Sequence, residues 1–407
     1  MSHQSPERLR AEMVRGIVAA GHARTPAVQD ALNTVRRHRF FPGVALADAY
    51  DYRQTLAATL DPAAGARPCS SIAPITVAMM LDQLDIQPGN TVLHIGTGTG
   101  YTAALAAELS GTRRVVTIDR DHDLAAQARR TLLALGYARV EVITAGVSDA
   151  APGRYDRIIV TASAYDIPDA WIRQLAPGGR LVVPLRFRGT SRSFVFQERR
   201  GVVQARDSHP CTLPPLRGAD HDRQRTKPIG PGGRITLGWD DDQWRLVHGY
   251  DLYSSETYST TSTAWSGVIV HDGEPLDRLW LRLAATEAGT CRLTTDGHVT
   301  GVPPLAFPAG TPAIVQHGTI AYLTRREIPA APDGTRRFEL GAGAFGAFAM
   351  RQAAAYVDQI RAWGANRTVH PTVTVVPAQT PEAQLPPGDR YLRRPSQFLV
   401  LRMQGSA

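Results

Sequence analysis

The ten residues 91–100, TVLHIGTGTG, constrain what this chain can fold into more than any other stretch. A short β-branched run ends in a tight glycine turn and passes into a helix-forming segment, and Gly96, Gly98 and Gly100 let backbone approach a ligand closely. A second strand-like run, VVTI at 115–118, ends in Asp119. A carboxylate about twenty residues beyond such a turn sits where it can accept both ribose hydroxyls of a bound nucleoside. The same glycines would turn the chain in any α/β protein, and Asp119 alone would serve as a helix N-cap; it is the coupling of the two that points to a nucleoside.

Strands and helices alternate on both sides of this motif. TVLHI, VVTI, VEVIT at 140–144, RIIVT at 157–161 and RLVVPL at 180–185 are separated by helical stretches, which predicts a parallel, doubly wound sheet. SFVF at 193–196 and VVQAR at 202–206 follow without a helix and predict an antiparallel hairpin at the sheet edge. Upstream, periodic apolar residues predict two amphipathic helices over 5–40 and a third opening at Pro74, with a loop-like stretch from Phe40 to Pro68. The turn reads GTGTG rather than GxGxxG and follows helices instead of starting the chain. That selects S-adenosyl-L-methionine over a dinucleotide as the nucleoside.

Four hundred and seven residues exceed what one core normally fills. The expected division is N-terminal helices and a substrate-side loop over 1–70, a cofactor-binding Rossmann-like domain over 71–216, and a C-terminal α+β domain over 217–407. The last begins after the polar, Gly/Pro-rich run GADHDRQRTKPIGPGG. Its strand-like runs are RITLGW, VIVHD, LDRLWLRLA, GTIAYLTRR, TVTVVPA and QFLVLRM, with one helix from about Gly346 to Trp363. With 43% apolar and 20% charged residues the chain is not intrinsically disordered.

Cys69, Cys211 and Cys291 are too few and scattered for a disulfide framework or a zinc site, so the expected compartment is the cytoplasm and no metal is expected. Polar residues where a signal segment would be apolar, and the lack of any eighteen-residue apolar run, argue against a membrane. Lys+Arg number 45 against 37 Asp+Glu, and Lys227 is the single lysine. Base composition accounts for that bias; arginine forks would also suit an acidic peptide. Dispersed arginines without interleaved aromatics argue against nucleic acid.

Five segments together resemble protein-L-isoaspartate O-methyltransferases: VRRHRFFP at 35–42, SSIAPITVAMMLDQL at 70–84, VLHIGTGTGYTAALAAEL at 92–109, YDRIIVTAS at 155–163 and QLAPGGRLVVPL at 174–185. The likeness covers roughly the first 215 residues. AWIRQLAPGGRLVVPLRFRGTSRS, CTLPPLRG at 211–218 and the extension containing AYLTRR and YVDQIRAW are similar to the longer relatives that mature lanthipeptides and graspetides. The resemblance implies methyl transfer from S-adenosyl-L-methionine to a peptide carboxylate. The expected reading is an aspartyl carboxylate of a ribosomally made, acidic or macrocyclic peptide, whose ester closes to a succinimide. The alternatives are general isoaspartate repair and a peptide-binding homologue without catalysis.

By the same resemblance the cofactor side consists of Gly96, Thr97, Gly98, Gly100, Tyr101, Asp119, Arg120, Ala145 and Gly146. The catalytic side consists of Ser70, Ser71 and His94. Three positions depart from the family pattern. His94 stands where an acidic residue precedes the glycine turn, Ile72 where a serine precedes the loop proline, and Thr144–Gly146 where GDG is usual. Ser70 or Ser71 would replace the missing hydroxyl by a one-residue shift, and Asp149 the adenine-side carboxylate. His94 is expected to act as a neutral partner of the methionyl end, with cofactor binding weakening as pH falls through the histidine range; its alternative is a satisfied histidine at a strand end. The run at 250–267 is either a peptide-binding surface or an ordinary strand pair.

Overall fold

Pro6 and Pro26 open the first two helices in a computed structural model that describes residues 5–58, 69–111, 114–146, 149, 151–199, 201–216, 223–248, 252 and 258–403. Proline at the first helical position loses no bonded N–H and has a suitable φ. Ser5 and Thr25 complete the starts by accepting the backbone N–H of Arg8 and Val28. Helices α1 (Pro6–Ala19) and α2 (Pro26–Thr34) are followed by a 3-10 turn at Arg37–Phe40, α3 (Leu46–Ala49), and a short antiparallel pair, β1 (Ala57–Ala58) with β2 (Cys69–Ser70). Helix α4 (Pro74–Leu84) then leads into the sheet.

Along the chain come β3 (Val92–Ile95), α5 (Tyr101–Ser110), β4 (Val115–Asp119), α6 (His122–Ala134), β5 (Val140–Thr144), β6 (Tyr155–Val160), α7 (Asp169–Arg173), β7 (Leu175–Phe187), β8 (Thr190–Arg199) and β9 (Val202–Pro210). In space the order is β9-β8-β7-β6-β3-β4-β5. The pairs β3 with β4, β3 with β6, β4 with β5 and β6 with β7 are parallel, and β8 with β9 is antiparallel. All four β3 residues are buried, as a strand covered on both faces requires. Chain order reverses between β3 and β6, and the carboxyl ends at such a switch are where an open α/β sheet binds ligands.

The N-terminal helices share one core with the sheet: Met13, Ile17, Leu32, Met80, Leu84 and Leu105 are all buried in a single cluster. Each stabilises by about 1.5–3 kcal/mol over exposure. This unit comprises Met1–Leu185 and Arg192–Arg217, and the other comprises Arg186–Ser191 and Gly218–Ala407.

The second unit holds a seven-stranded antiparallel sheet of β10 (Gln224–Ile229), β11 (Ile235–Asp240), β12 (Thr261–His271), β13 (Thr290–Thr295), β14 (Thr311–Gln316), β15 (Thr319–Ile328) and β16 (Arg337–Phe345), in the order β10-β11-β13-β14-β15-β16-β12. The helix Ala349–Ala365 buries Tyr356, Ile360 and Trp363 with Leu323, Leu340 and Ala342 of the sheet. β17 (Pro371–Pro377) and β18 (Arg390–Arg393) both pair antiparallel with β19 (Gln397–Met403). Asp240, fully buried, accepts Arg394 Nη2 and the Arg188 backbone N–H, both at 2.9 Å. The Arg188 guanidinium also lies 3.8 Å from this carboxylate, so the buried charge has two cationic partners.

One expected strand is a helix. LDRLWLRLA lies mostly within the helix Asp277–Thr286. The alternating leucines at 279, 281 and 283 suit a strand, but the segment has no β-branched residue before Thr286 and is rich in Leu, Arg and Ala. Within 250–267, residues 250, 251 and 253–257 lie outside the described residues, while Thr261 onward belongs to β12. No helix among the described residues is long and apolar enough to cross a membrane.

Candidate active site

Gly96, Gly98 and Gly100 have φ of 95°, 52° and 91°, left-handed values that side chains rarely tolerate. A Cβ on Gly96 would lie 3.0 Å from Thr161 Oγ1, so the backbone passes tightly between the ends of β3 and β6. The turn hands over to α5, whose first residue is Tyr101. It forms the floor of an open cleft. Thr97, Thr99, Thr102 and Thr161 line it on the sheet side, and Arg37, Phe41, Ser71 and Ile72 on the helical side.

Asp119 ends β4 half-buried. Its Oδ2 accepts the Gly98 N–H and its Oδ1 the Asp121 N–H, each at 3.0 Å. Burial raises its pKa above the ordinary carboxylate value, and the backbone N–H groups of Asp121 and Gly98 oppose that rise. One bond to each oxygen leaves further lone pairs for two hydroxyl donors. The N-cap of α6 is Asp121, which accepts from Asp123 and Leu124, so Asp119 is not spent as a cap. Arg120 is exposed.

Beyond β5, Ala145 donates its N–H to the Asp119 carbonyl at 3.0 Å, which fixes the start of that loop beside the glycine turn. Asp149 folds back so that its Oδ2 accepts the Gly146 N–H at 2.7 Å. A carboxylate thus stands next to Ala145 and Gly146 although the aligned triplet has none.

His94 corrects the expectation of direct contact with a cofactor. Its ring is 1% exposed and does not line the cleft; Nε2 lies 2.9 Å from Thr161 Oγ1 and Nδ1 2.9 Å from Thr117 Oγ1. Thr161 donates to the Gly96 carbonyl at 2.9 Å, so it accepts Nε2–H; Nδ1 then accepts from Thr117, whose oxygen accepts from Thr97 at 2.8 Å. Burial pushes the imidazole pKa down to about 3, so the ring is neutral at ordinary pH. The expected loss of cofactor binding through the usual histidine range therefore has no titrating group behind it. What His94 does is orient Thr161 directly and Thr97 through Thr117, leaving the Thr97 oxygen as an acceptor in the cleft.

Ser71 is half-buried in the cleft; its Oγ accepts Arg37 Nη2 at 2.9 Å and donates to the Ile72 carbonyl at 3.1 Å. Ser70 pairs with Ala57 through its backbone, and its side chain lies outside the described residues, as does that of Cys69. The Tyr101 ring is buried against Phe40 at 5.7 Å, and its hydroxyl is pushed up to about 12 by burial, so it remains a neutral phenol. Sequence reasoning assigned no role to Arg37, Thr117 or Thr161. Nothing in RHRFFP sets Arg37 apart from Arg39, which stands directly before the aromatic pair; Thr117 lies inside β4, Thr161 follows β6, and neither carries a motif of its own. Among the described residues no group of three or more His, Cys, Asp or Glu side chains is placed to hold a metal ion.

The family model for protein-L-isoaspartate(D-aspartate) O-methyltransferase matches residues 8–220. A protein-L-isoaspartate O-methyltransferase of Methanococcus aeolicus is 42% identical over 179 residues, which cover 42% of this chain and 78% of the relative. One from Methanopyrus kandleri is 36% identical over 220 residues, covering 52% and 93%. A solved protein-L-isoaspartate O-methyltransferase aligns over 90% of this chain and 96% of its own, at 16% identity and a TM-score of 0.49. With the cleft at the β3–β6 switch and a family model that takes in more than half of its residues, the chain belongs to the protein-L-isoaspartate O-methyltransferase family.

Proposed function

We propose that this protein is an S-adenosyl-L-methionine-dependent carboxyl O-methyltransferase acting on the isoaspartyl carboxylate of peptides or proteins. The observation that carries the reading is the coupled geometry of the glycine turn and Asp119, beside a cleft with a cationic wall. Asp119 has lone pairs left on both oxygens for the ribose hydroxyls. Gly96 and Gly98 keep the floor free of side chains. Thr97, oriented through Thr117 and His94, offers a neutral acceptor to the methionyl ammonium where relatives of this pattern have a carboxylate. Asp149, held at Gly146, serves the adenine side.

When bound, the cofactor supplies an electrophilic methyl group: a carboxylate oxygen forms the new O–CH3 bond as the C–S bond breaks, its electron pair passing to sulfur and no proton moving. The chain's residues therefore need only hold the carboxylate in line and exclude water. Alignment of this kind is worth several kcal/mol without a general base. Ser71 and the Ile72 backbone form the acceptor side of the cleft.

A second reading, an aspartyl carboxylate in a constrained acidic peptide, is supported by the second unit, which lies almost wholly beyond the matched span of 8–220. Methylation of a linear isoaspartyl peptide, its aspartyl counterpart and a cyclised acidic peptide with radiolabelled methyl donor separates the two. Base-labile label on the isoaspartyl peptide is expected. Label confined to the cyclised peptide favours the second reading, and no label on any of them overturns both.

A further inference from the structure

Arg37 carries a buried charge that the fold does not match. It is 1% exposed, opens the 3-10 turn Arg37–Phe40 and lines the cleft. Its guanidinium lies 4.5 Å from the Phe41 ring centre and 4.8 Å from that of Tyr101, stacked on aromatic surface. Nε donates to the Ala49 carbonyl at 2.9 Å, and Nη2 to Ser71 Oγ at 2.9 Å and the Ile72 carbonyl at 3.3 Å. Those bonds use three of the fork's five N–H groups. The two on Nη1 are buried with no hydrogen-bond partner, and among the described residues no carboxylate pairs with this side chain. The buried Tyr101 hydroxyl lies against the guanidinium and interacts with it, and among the described residues neither it nor Nη1 has a well-aligned hydrogen bond.

An arginine stays protonated at any working pH, and a buried cation without a counter-charge is costly. Its three satisfied N–H groups hold the fork rigid, so Nη1 is pre-aimed and little rotamer freedom is lost when an anion arrives. We propose that Arg37 is the clamp for the acceptor carboxylate: Nη1, with the Tyr101 hydroxyl beside it, binds one carboxylate oxygen and leaves the other to take the methyl group. This rests on the methyltransferase reading above. The clamp holds an anion that methylation destroys. The neutral ester no longer pairs with the guanidinium, so substrate is held and product released by the same residue. Because the pairing is strongest before the charge is neutralised, it supports binding more than the chemical step.

The test compares a linear isoaspartyl peptide with the same peptide carrying a carboxamide in place of the acceptor carboxylate. Both are titrated against the full-length protein in the presence of S-adenosyl-L-homocysteine, and the carboxylate peptide is also assayed for turnover with the parent, Arg37→Lys and Arg37→Gln. A charge-assisted pair in a buried site predicts at least about thirtyfold weaker binding of the carboxamide. For Arg37→Gln it predicts a rise in KM of similar size with kcat within about threefold, and Arg37→Lys recovering part of the KM. Equal affinity for carboxylate and carboxamide overturns the clamp without relying on any variant that must fold. Normal methylation by the parent with an unchanged KM in Arg37→Gln overturns the clamp while leaving the methyltransferase reading intact. A parent that neither binds nor methylates the carboxylate peptide overturns both.

Discussion

Lowering the pH from 7.5 to 5 should destabilise the first unit through His94 alone by an amount the structure sets. The ring is 1% exposed and pushed down to about 3, against an ordinary histidine value of 6.5. Between those values the unfolded chain takes up a proton that the folded chain refuses, so stability falls as pH falls, and the loss levels off below about pH 3. At pH 5 the unfolded histidine is 1.5 pH units below its pKa and the folded one is still neutral, which amounts to about 2 kcal/mol. The comparison is with His94→Gln, whose amide can still bond Thr117 and Thr161 but does not titrate, so all other ionisable groups cancel in the difference. Urea unfolding at both pH values, read by pulsed hydrogen exchange on peptides spanning β3 and β4, reports this unit apart from the other. The parent should lose about 2 kcal/mol more than the variant on acidification. Equal losses would show that the imidazole is not held neutral between the threonines, and the orientation of Thr97 derived from it would fall.

Other outcomes follow from the same geometry. Asp119→Ala should weaken S-adenosyl-L-methionine binding at least tenfold, about 1.4 kcal/mol, measured calorimetrically; an unchanged constant would move the ribose elsewhere. Because burial raises the Asp119 pKa, affinity should also decline on mild acidification, before an ordinary carboxylate would titrate, and that decline should vanish in Asp119→Ala. Gly96→Ala combines a φ of 95° with a Cβ 3.0 Å from Thr161 Oγ1, and should cost about 1–3 kcal/mol in unfolding experiments and disturb cofactor binding. A fully stable Gly96→Ala protein would contradict the tight passage between β3 and β6.

The cofactor half of the site was readable because its chemistry is written in local order. Three glycines, a strand on each side and Asp119 at a fixed interval can be seen without knowing any tertiary contact. The acceptor half was not, because it is assembled across the fold. Arg37 meets Ser71 and Ile72 only after α4 packs against the N-terminal helices, and nothing in RHRFFP says which of its arginines is buried. His94 shows the converse failure. A histidine replacing an acidic residue suggested a direct partner of the cofactor, whereas a strand covered on both faces keeps its ring inside, between Thr117 and Thr161. In the second unit the alternating leucines of the helix Asp277–Thr286 mimicked a strand, since period two and a helix buried on several faces are indistinguishable over so short a run.

The most direct measurement is a calorimetric titration of the full-length protein with S-adenosyl-L-methionine, repeated with Asp119→Ala. A turn held open by glycines, a ribose carboxylate with free lone pairs and a threonine acceptor in place of an acidic residue predict saturable binding at one site, weakened at least about tenfold in the variant. Absence of saturable heat in the parent, or identical binding by parent and variant, would contradict the site described at the β3–β6 switch.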